Sequence, residues 1–210
     1  TLSIGMYVNT SGVQFTNPIG GISNLLGLTK AKLIFGSEVA KRTTSKYVSI
    51  DGNDPILKPY NAQIVSNPQI TEWEHISGSI TWEARADVDR GTGEIKTLYM
   101  AKIPYTTYSG DKDTYNFTDG LEQRYGIEGL DTKENELFQK LNGIGNNEEI
   151  LLYQAIDEMM GHQYANTQQR INSTGNVLDK EFNYLRKEWE TASKDSNKVK
   201  VFGSREEYNT

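Results

Sequence analysis

Residues 80–103, ITWEARADVDRGTGEIKTLYMAKI, contain the clearest structural pattern in the chain. Apolar and polar side chains alternate in the first nine residues, as they do in a half-buried antiparallel strand. The turn-forming stretch DRGTG follows, and EIKTLYMAKI has the length and composition of a return strand. The stretch therefore predicts a β-hairpin with one buried face. The residues predicted to face the core are Ile80, Trp82, Ala84, Ala86 and Val88.

The rest of residues 1–110 also favours short strands. Apolar runs such as KLIFG (32–36) and YVSID (47–51) are separated by turn-forming clusters at Gly20 and Gly21, in DGNDP (51–55) and in SNP (66–68). Short strands of this kind are typical of a β-solenoid, a sandwich or a barrel, and no exact repeat period chooses among them. We interpret residues 1–110 as one β-rich region.

The pattern changes after this region. PYTTYSGDKDTYNFTDG (104–120) is rich in Tyr, Thr, Gly and Asp and shows little periodicity, which predicts an irregular connection. We place a connector at residues 111–130 and a candidate domain boundary near its start.

Helical spacing dominates residues 131–195. Asp131 or Thr132 is suited to cap a helix through ENELFQKL, and Gly143 is suited to end it in a left-handed conformation. Asn146 followed by Glu149 resembles a capping box at the start of a second helix. Two or three helices are expected, with an apolar stripe that another helix or a sheet must cover. The residues predicted to pack are Leu152, Ile156, Met159, Leu178, Phe182, Leu185 and Trp189.

Composition limits the classes of function. Apolar residues make up 36% of the 210 residues, and mean hydropathy is −0.63, values that favour a molecule with a large surface. The absence of cysteine excludes disulfides, thiolate metal sites and a cysteine nucleophile. Net charge is +1 over residues 1–110 and −7 over residues 111–210, and this acidic half argues against a nucleic-acid partner. Because TLSIGMYV begins abruptly in strand-like sequence, we interpret the chain as part of a longer protein.

Candidate catalytic chemistry is sparse. Glu158 and His162 are four residues apart, a spacing that places two metal ligands on one helix face, but no second histidine lies nearby in sequence. His75 is expected at a surface or strand-edge position. No GxSxG motif occurs, and DGNDP lacks the acidic residue that would complete a calcium loop. We expect no enzyme activity, no bound metal and no cofactor.

The aromatic residues leave an alternative open. The stretch PYTTYSGDKDTY has the mixture of Tyr, Ser, Gly and Asp found in recognition loops. Its tyrosines, Tyr105, Tyr108 and Tyr115, are candidate ligand contacts. The competing interpretation is that they border a connector while Trp73 and Trp82 pack in the β core.

Residues 120–210 resemble a known family. The run from ELFQKLNGIGNNEEILLYQAIDEMMGHQYANTQQRI through LDKEFNYLRKEWETASKDSNKVKVFGSREEY is similar to the segment between passenger and translocator in the large fusobacterial autotransporter adhesins. These are outer-membrane proteins of the type V secretion class. A shorter element is similar to one that precedes the C-terminal β-barrel in many autotransporters. It comprises Ala155, Ile156, Met159, Gly161, Tyr164, Ala165 and Asn166.

The resemblance implies a non-catalytic role at the cell surface. Residues 1–110 would be the end of a passenger, typically a right-handed β-solenoid closed by a hairpin cap that assists folding. Residues 131–195 would be the helical linker, and residues 196–210 the start of the translocator. The implied partner is the protein's own outer-membrane barrel, reached after export through the periplasm. The alternative is an adhesin module that contacts glycan or protein receptors on host or bacterial cells through Tyr- and Trp-rich loops.

Overall fold

A computed structural model of the chain describes residues 2–12 and 18–161. These residues form a mixed α+β fold, the class that the sequence predicts. The strands are β1 (Leu2–Val8), β2 (Leu28–Phe35), β3 (Tyr47–Asp51), β4 (Glu72–Ser77), β5 (Trp82–Val88) and β6 (Ile95–Lys102). The helices are α1 (Lys58–Ser66), α2 (Lys112–Arg124), α3 (Lys133–Asn142) and α4 (Glu149–Met160). Short 3-10 turns lie at Ile22–Asn24, Glu38–Lys41 and Tyr105–Tyr108.

β1, β2 and β4 form a parallel sheet with β2 in the middle. In this register, residues that pair across the three strands form three columns of side chains on the inward face. These columns are Ile4, Ala31 and Trp73; Met6, Leu33 and His75; and Val8, Phe35 and Ser77. The central members, all from β2, are at most 1% exposed. Burial of these columns removes apolar surface from water and is the main force that holds the sheet to the core.

β3, β6 and β5 form an antiparallel sheet with β6 in the middle. β5 and β6 are the two strands of the hairpin predicted from residues 80–103. Trp82, Leu98 and Met100 are almost fully buried on its inner face. In the turn, the Asp89 carboxylate accepts hydrogen bonds from the amides of Gly91 and Thr92, at 2.8 and 2.9 Å. This Asx-type turn explains why DRGTG reverses the chain.

Helix α1 is joined to the antiparallel sheet through a buried asparagine. The Asn61 Nδ2 donates to the carbonyl oxygens of Gly52 and Ile95, and its Oδ1 accepts from the Ile95 amide at 2.7 Å. The backbone at Gly52 approaches so closely that a Cβ there would lie 1.9 Å from the Ile95 oxygen. The junction therefore requires glycine at this position.

The irregular connection predicted at residues 104–120 is wrong in its second half. α2 begins within it, and the Asp111 side chain accepts a hydrogen bond from the Thr114 amide as an N-cap. The helix contains Thr, Asn and an internal Gly120, which have low helix propensity, and it buries a narrow face. Packing of Phe117 and Leu121 against the core compensates for the weak local preference.

Two predictions at helix ends need correction. Gly143 ends α3 as predicted, but its φ of −79° lies in the right-handed region and not the left-handed one, and the next residue, Ile144, accepts a hydrogen bond from the Ile80 amide. Asn146 does not cap α4; its side-chain amide donates to the Ser77 carbonyl oxygen instead. The predicted cap at Thr132 is correct, since its side chain accepts from the Asn135 amide.

Several predictions fall outside the described residues. They concern His162, the strand-like residues 196–210 and the apolar stripe of the last helical region. The stripe residues concerned are Leu178, Phe182, Leu185 and Trp189.

Candidate functional site

The sequence contains few candidate catalytic or metal-binding residues, and the structure does not bring those that it describes into one cluster. Among residues 2–12 and 18–161, no group of three or more His, Cys, Asp or Glu side chains is placed to hold a metal ion. Nor does that part of the chain include a helix long and apolar enough to cross a membrane. The helix that carries Glu158 ends at Met160, and Gly161 then has φ 84°. The helix on which Glu158 lies therefore ends two residues after it.

His75 lies on β4, an edge strand of the parallel sheet, but its ring faces inward. The ring stacks against Phe35 with centroids 6.2 Å apart, and the prediction of a surface or strand-edge position is confirmed in its second alternative, the edge strand. Burial lowers the pKa of His75. Its Nε2 atom is buried and has no hydrogen-bond partner within the described chain. This environment favours a neutral imidazole that packs against the core residue Phe35.

Tyr105, the first candidate ligand contact, is fully buried. Its ring stacks on Phe138 and meets Tyr125 edge-on, with centroids 6.0 and 6.3 Å away. A side chain with no exposed surface cannot contact a ligand, so this prediction is wrong. The physical reason is that the 3-10 turn after β6 directs the ring into the interface between the sheet and the helices.

The other two candidate tyrosines lie near the surface. The Tyr108 hydroxyl donates to the carbonyl oxygen of Ile80, which ties the 3-10 turn to the hairpin. Tyr115 is half exposed on α2 and is not among the residues that line the groove described next.

A groove of about 540 Å³ runs between α4 and the segment that leads into α2. From α4, Tyr153, Ile156 and Met160 line it at helical steps of three and four residues. The facing wall includes Tyr108 and the N-cap of α2, Asp111. The groove is open and more apolar than polar, and its lining includes Met160, the last residue of α4.

A buried ion pair lies where α2 meets the antiparallel sheet. The Lys102 side chain is 0% exposed and donates to the Glu122 carboxylate. Its Nζ also lies 3.5 Å from the centre of the Tyr105 ring, a cation–π geometry. Burial lowers the pKa of Lys102 to about 8, although Glu122 opposes the change. Burial acts to raise the pKa of Glu122, but hydrogen bonds from Lys102, Lys46 and the Tyr105 amide outweigh it and leave that pKa below 4.5.

Asn142, the last residue of α3, connects the hairpin to the helices. Its Oδ1 accepts from Thr81 Oγ1 at 3.2 Å and from the Tyr105 hydroxyl at 3.4 Å. Its Nδ2 donates to the Tyr125 hydroxyl at 3.3 Å, and its carbonyl oxygen accepts from Ser37. A single 1%-exposed side chain thus contacts three separate segments.

The chain closes on itself at the end of β4. Residues 144–146, between α3 and α4, pair antiparallel with the residues that leave β4. The Ile80 amide donates to the Ile144 oxygen at 3.0 Å, and the Asn146 amide donates to the Gly78 oxygen at 3.2 Å. The Asn146 side chain adds a 2.7 Å hydrogen bond to the Ser77 oxygen. We call residues 77–80 and 144–146 the β4 closure.

The opposite side of the parallel sheet differs. Along β1, no second strand pairs with the edge that faces away from β2, among the residues described. An edge of this kind presents backbone donors and acceptors to any strand that approaches it. Neither β1 nor β4 has a second strand along its outer edge among the described residues, but the chain that leaves β4, at residues 78–80, is hydrogen-bonded to residues 144–146.

Sequence reasoning missed several of these residues. Lys102 follows Leu98 and Met100 at two-residue steps, so the strand alternation itself indicated an inward-facing lysine in need of an acidic partner. Glu122 carried no such signal because α2 was not expected. Asn142, Gly145 and Asn146 act through tertiary contacts between distant segments, which no local pattern reveals.

In comparisons with protein-family models, with curated proteins and with solved structures, nothing matches this chain.

Proposed function

We propose that this chain is a non-catalytic closing segment of a bacterial surface autotransporter adhesin. It ends a stacked β passenger, assists its folding and links it to an outer-membrane barrel. The observation that carries the proposal is the in-register parallel sheet β1-β2-β4, after whose last strand the chain is hydrogen-bonded to residues 144–146. In the proposed role, β1 faces the preceding strands of the passenger and the residues after β4 close the stack.

The columns of the parallel sheet support the finer fold that the resemblance implies, the end of a right-handed β-solenoid. In a solenoid, parallel strands stack in register and each repeat contacts only its neighbours. β1, β2 and β4 have that relationship, with apolar residues above one another in the first two strands. β-Crossovers between parallel strands of one sheet are almost always right-handed.

The hairpin supports the folding role. β5 and β6 are joined by a short turn, so they can pair without closing a long loop, whereas β2 and β4 are separated by residues 36–71. A locally formed hairpin with buried Trp82 offers an early apolar surface on which the slower parallel pairing can be completed. Ile80, Ala84 and Val88 are partly buried and pack against the same core.

The alternative role, contact with a glycan or protein receptor through the tyrosine-rich stretch, has weaker support. Tyr105 is buried, and the Tyr108 hydroxyl is bonded to the Ile80 carbonyl oxygen. Of the three candidates, Tyr115 alone is half exposed.

The test is protease-resistant display on cells that express an autotransporter carrying this chain between its passenger and its barrel. Deletion of residues 78–103 should abolish resistance of the passenger to added protease. Asn146→Pro, which removes the amide bonded to the Gly78 oxygen, should reduce it, and Tyr115→Ala is the matched surface control. Normal display of the deletion variant would contradict the proposal.

A further inference from the structure

The antiparallel sheet has an outward face that is open to solvent. Leu98 and Met100 of β6 are fully buried on its inner face, so the core holds the strand backbone beneath the outward face in place. On the two outer strands, every side chain that points away from the core is exposed. These side chains are Tyr47, Ser49 and Asp51 on β3, and Glu83, Arg85 and Asp87 on β5. We call this surface, together with Tyr99 of β6, the outer sheet face.

Two stacked tyrosines lie on the outer sheet face. Tyr47 and Tyr99 are on neighbouring strands, with ring centroids 6.2 Å apart and ring planes 26° apart. They are 56% and 37% exposed, so part of each ring is in contact with water. A cross-strand aromatic pair contributes to the stability of a sheet. The pair also presents two nearly parallel apolar rings, each with a hydroxyl group, to any molecule that approaches the sheet.

Polar and charged side chains lie beside these rings. In the sheet register, Tyr99 has Arg85 as its direct neighbour on β5 and Ser49 as its direct neighbour on β3. Glu83 and Asp87 lie two residues before and after Arg85, on the same face of the sheet. Within the described residues, the Arg85 guanidinium forms no ion pair, so its N–H donors are free for a ligand. The stacked rings therefore have hydrogen-bond donors and acceptors next to them.

We propose that the outer sheet face binds a neutral oligosaccharide. The rings of Tyr47 and Tyr99 stack against the C–H faces of sugar rings, which are apolar. The Arg85 guanidinium donates hydrogen bonds to sugar hydroxyl groups, and the carboxylates of Glu83 and Asp87 accept hydrogen bonds from them. Oligosaccharides bind on the face of a small sheet in OB-folds, so a sheet face is a suitable platform for this class of ligand.

The charges on the outer sheet face argue against ionic ligands. The exposed carboxylates of Asp51, Glu83 and Asp87 repel anionic ligands such as nucleic acid and sialylated or sulfated glycans. Arg85 lies next to the stacked rings and repels a cationic peptide. A neutral ligand with many hydroxyl groups meets neither repulsion. This proposal does not rest on the proposed function, because the parallel sheet and residues 144–146 take no part in it.

The test applies the full 210-residue chain to an array of neutral oligosaccharides of hexose and N-acetylhexosamine, together with their sialylated and sulfated forms. We expect the chain to bind at least one neutral oligosaccharide. Tyr47→Thr and Tyr99→Thr, in separate variants, should each raise the dissociation constant of that oligosaccharide about tenfold, because each removes a stacked ring. Arg85→Met, which removes the donors, should raise it by a similar factor of about ten. Titration calorimetry measures these constants.

Matched variants separate binding from sheet stability. Threonine at positions 47 and 99 keeps the preference of these positions for a strand, and urea denaturation checks that both variants fold. Tyr99→Phe keeps the ring and should retain binding. Tyr153→Ala removes a tyrosine of similar exposure, 45%, from α4 and should leave the dissociation constant unchanged.

Three outcomes would overturn the proposal. The first is that the wild-type chain binds no neutral oligosaccharide on the array. The second is that it binds only the sialylated or sulfated forms, which would mean that an anion and not a neutral sugar is recognised. The third is an affinity that stays unchanged in both Thr variants, which would leave the stacked rings with a role in sheet stability alone.

Discussion

The parallel sheet and the helical region are attached to the core through different chemistry. In the parallel sheet, apolar columns such as Val8 beside Phe35 provide the contacts, and they require no specific hydrogen bond. The helices α2 and α3 meet the hairpin through directed polar contacts, namely those of Glu122 with the buried Lys102 and of the buried Asn142 with Thr81. The first kind of contact stabilises strongly but tolerates changes of shape. The second kind is satisfied in one arrangement only, because any shift leaves a buried polar atom without its partner.

If the chain ends a stacked β passenger, as proposed, this difference assigns separate tasks to the two regions. A stack of strands gains stability with every apolar residue it buries, so it is suited to extension. The contacts of Glu122 and Asn142 are few and directional, so the helical region is suited to fixing the position at which the strands end. The predictions below test this division, beginning with the largest expected effect.

Phe35→Ala should cause the largest loss of stability. Phe35 is fully buried in the middle strand and contacts His75, so its removal leaves a cavity in the column. We expect the free energy of unfolding to fall by about 3–5 kcal/mol, measured by urea denaturation. Lys32→Ala, an exposed position on the same strand, should leave the urea midpoint unchanged. If both variants behaved alike, the columns would not be the source of stability.

Glu122→Gln should come next and should depend on pH. It leaves the buried Lys102 ammonium without its carboxylate, a change that costs about 3 kcal/mol when a buried pair is broken. The pKa of Lys102 is about 8 in the fold, so above that pH the lysine is neutral and the loss should be smaller. Urea midpoints of wild type and variant, compared at pH 7 and pH 9, test this. A difference that is constant over this range would show that Lys102 does not titrate there.

The same pair predicts acid sensitivity with a defined sign. The folded-state pKa of Glu122 is depressed, so its contribution to stability is present above pH 4.5 and is lost as pH falls through the folded-state value. The unfolding free energy of wild type should therefore fall more than that of Glu122→Gln between pH 5 and pH 3. The extra loss should correspond to the uptake of one proton by the folded protein's Glu122. Parallel acid curves for the two proteins would exclude Glu122 as a source of the effect.

Asn142→Ala should be destabilising by about 2 kcal/mol, because it leaves the hydroxyls of Tyr105 and Tyr125 without their partner. It also removes one of the two hydrogen-bond partners of Thr81 Oγ1, the other being Ser79. A double-mutant cycle with Thr81→Val measures the directed part of the contact. Strict additivity of the two single variants would contradict a specific hydrogen bond between them.

The smallest effect is expected at the exposed ion pair between Lys30 and Glu72, which joins β2 to β4 on the outward face. The two side chains are 48% and 61% exposed, so solvent screens their attraction. Lys30→Met should leave the urea midpoint within experimental error at both low and high salt. A clear loss at low salt would mean that surface charge, and not the apolar columns, fixes the register of the parallel sheet.

The elements that sequence could predict are those with strong local patterns. The hairpin at residues 80–103 is one, because alternation and a turn occur within a single stretch. The pairing of β1, β2 and β4 was not predictable, since Ile4 pairs with Ala31 and Ala31 with Trp73, separations of 27 and 42 residues that define no constant period. α2 was missed because its residues have weak helical preference and packing stabilises it.

The candidate site was less predictable than the fold. Lys102 was visible in the strand alternation, but its partner lies on the unexpected helix. Asn146 was assigned to a local cap that competes with the tertiary hydrogen bond to Ser77. Both errors have the same cause: a polar side chain near an element end has several possible partners, and only the assembled fold selects one.

The position of Asn142 directly before Gly143 also has a consequence for chemical ageing. In a flexible chain, an asparagine followed by glycine deamidates when the glycine nitrogen attacks the side-chain carbonyl carbon. Here the Gly143 amide donates to the Gln139 oxygen, and the Asn142 carboxamide is held by three hydroxyl groups. The fold therefore protects this bond, whereas each unfolding event exposes it to a reaction that installs a negative charge in the buried joint. Molecules that deamidate at Asn142 while unfolded would keep the added negative charge and would not form the buried contacts of residue 142 again.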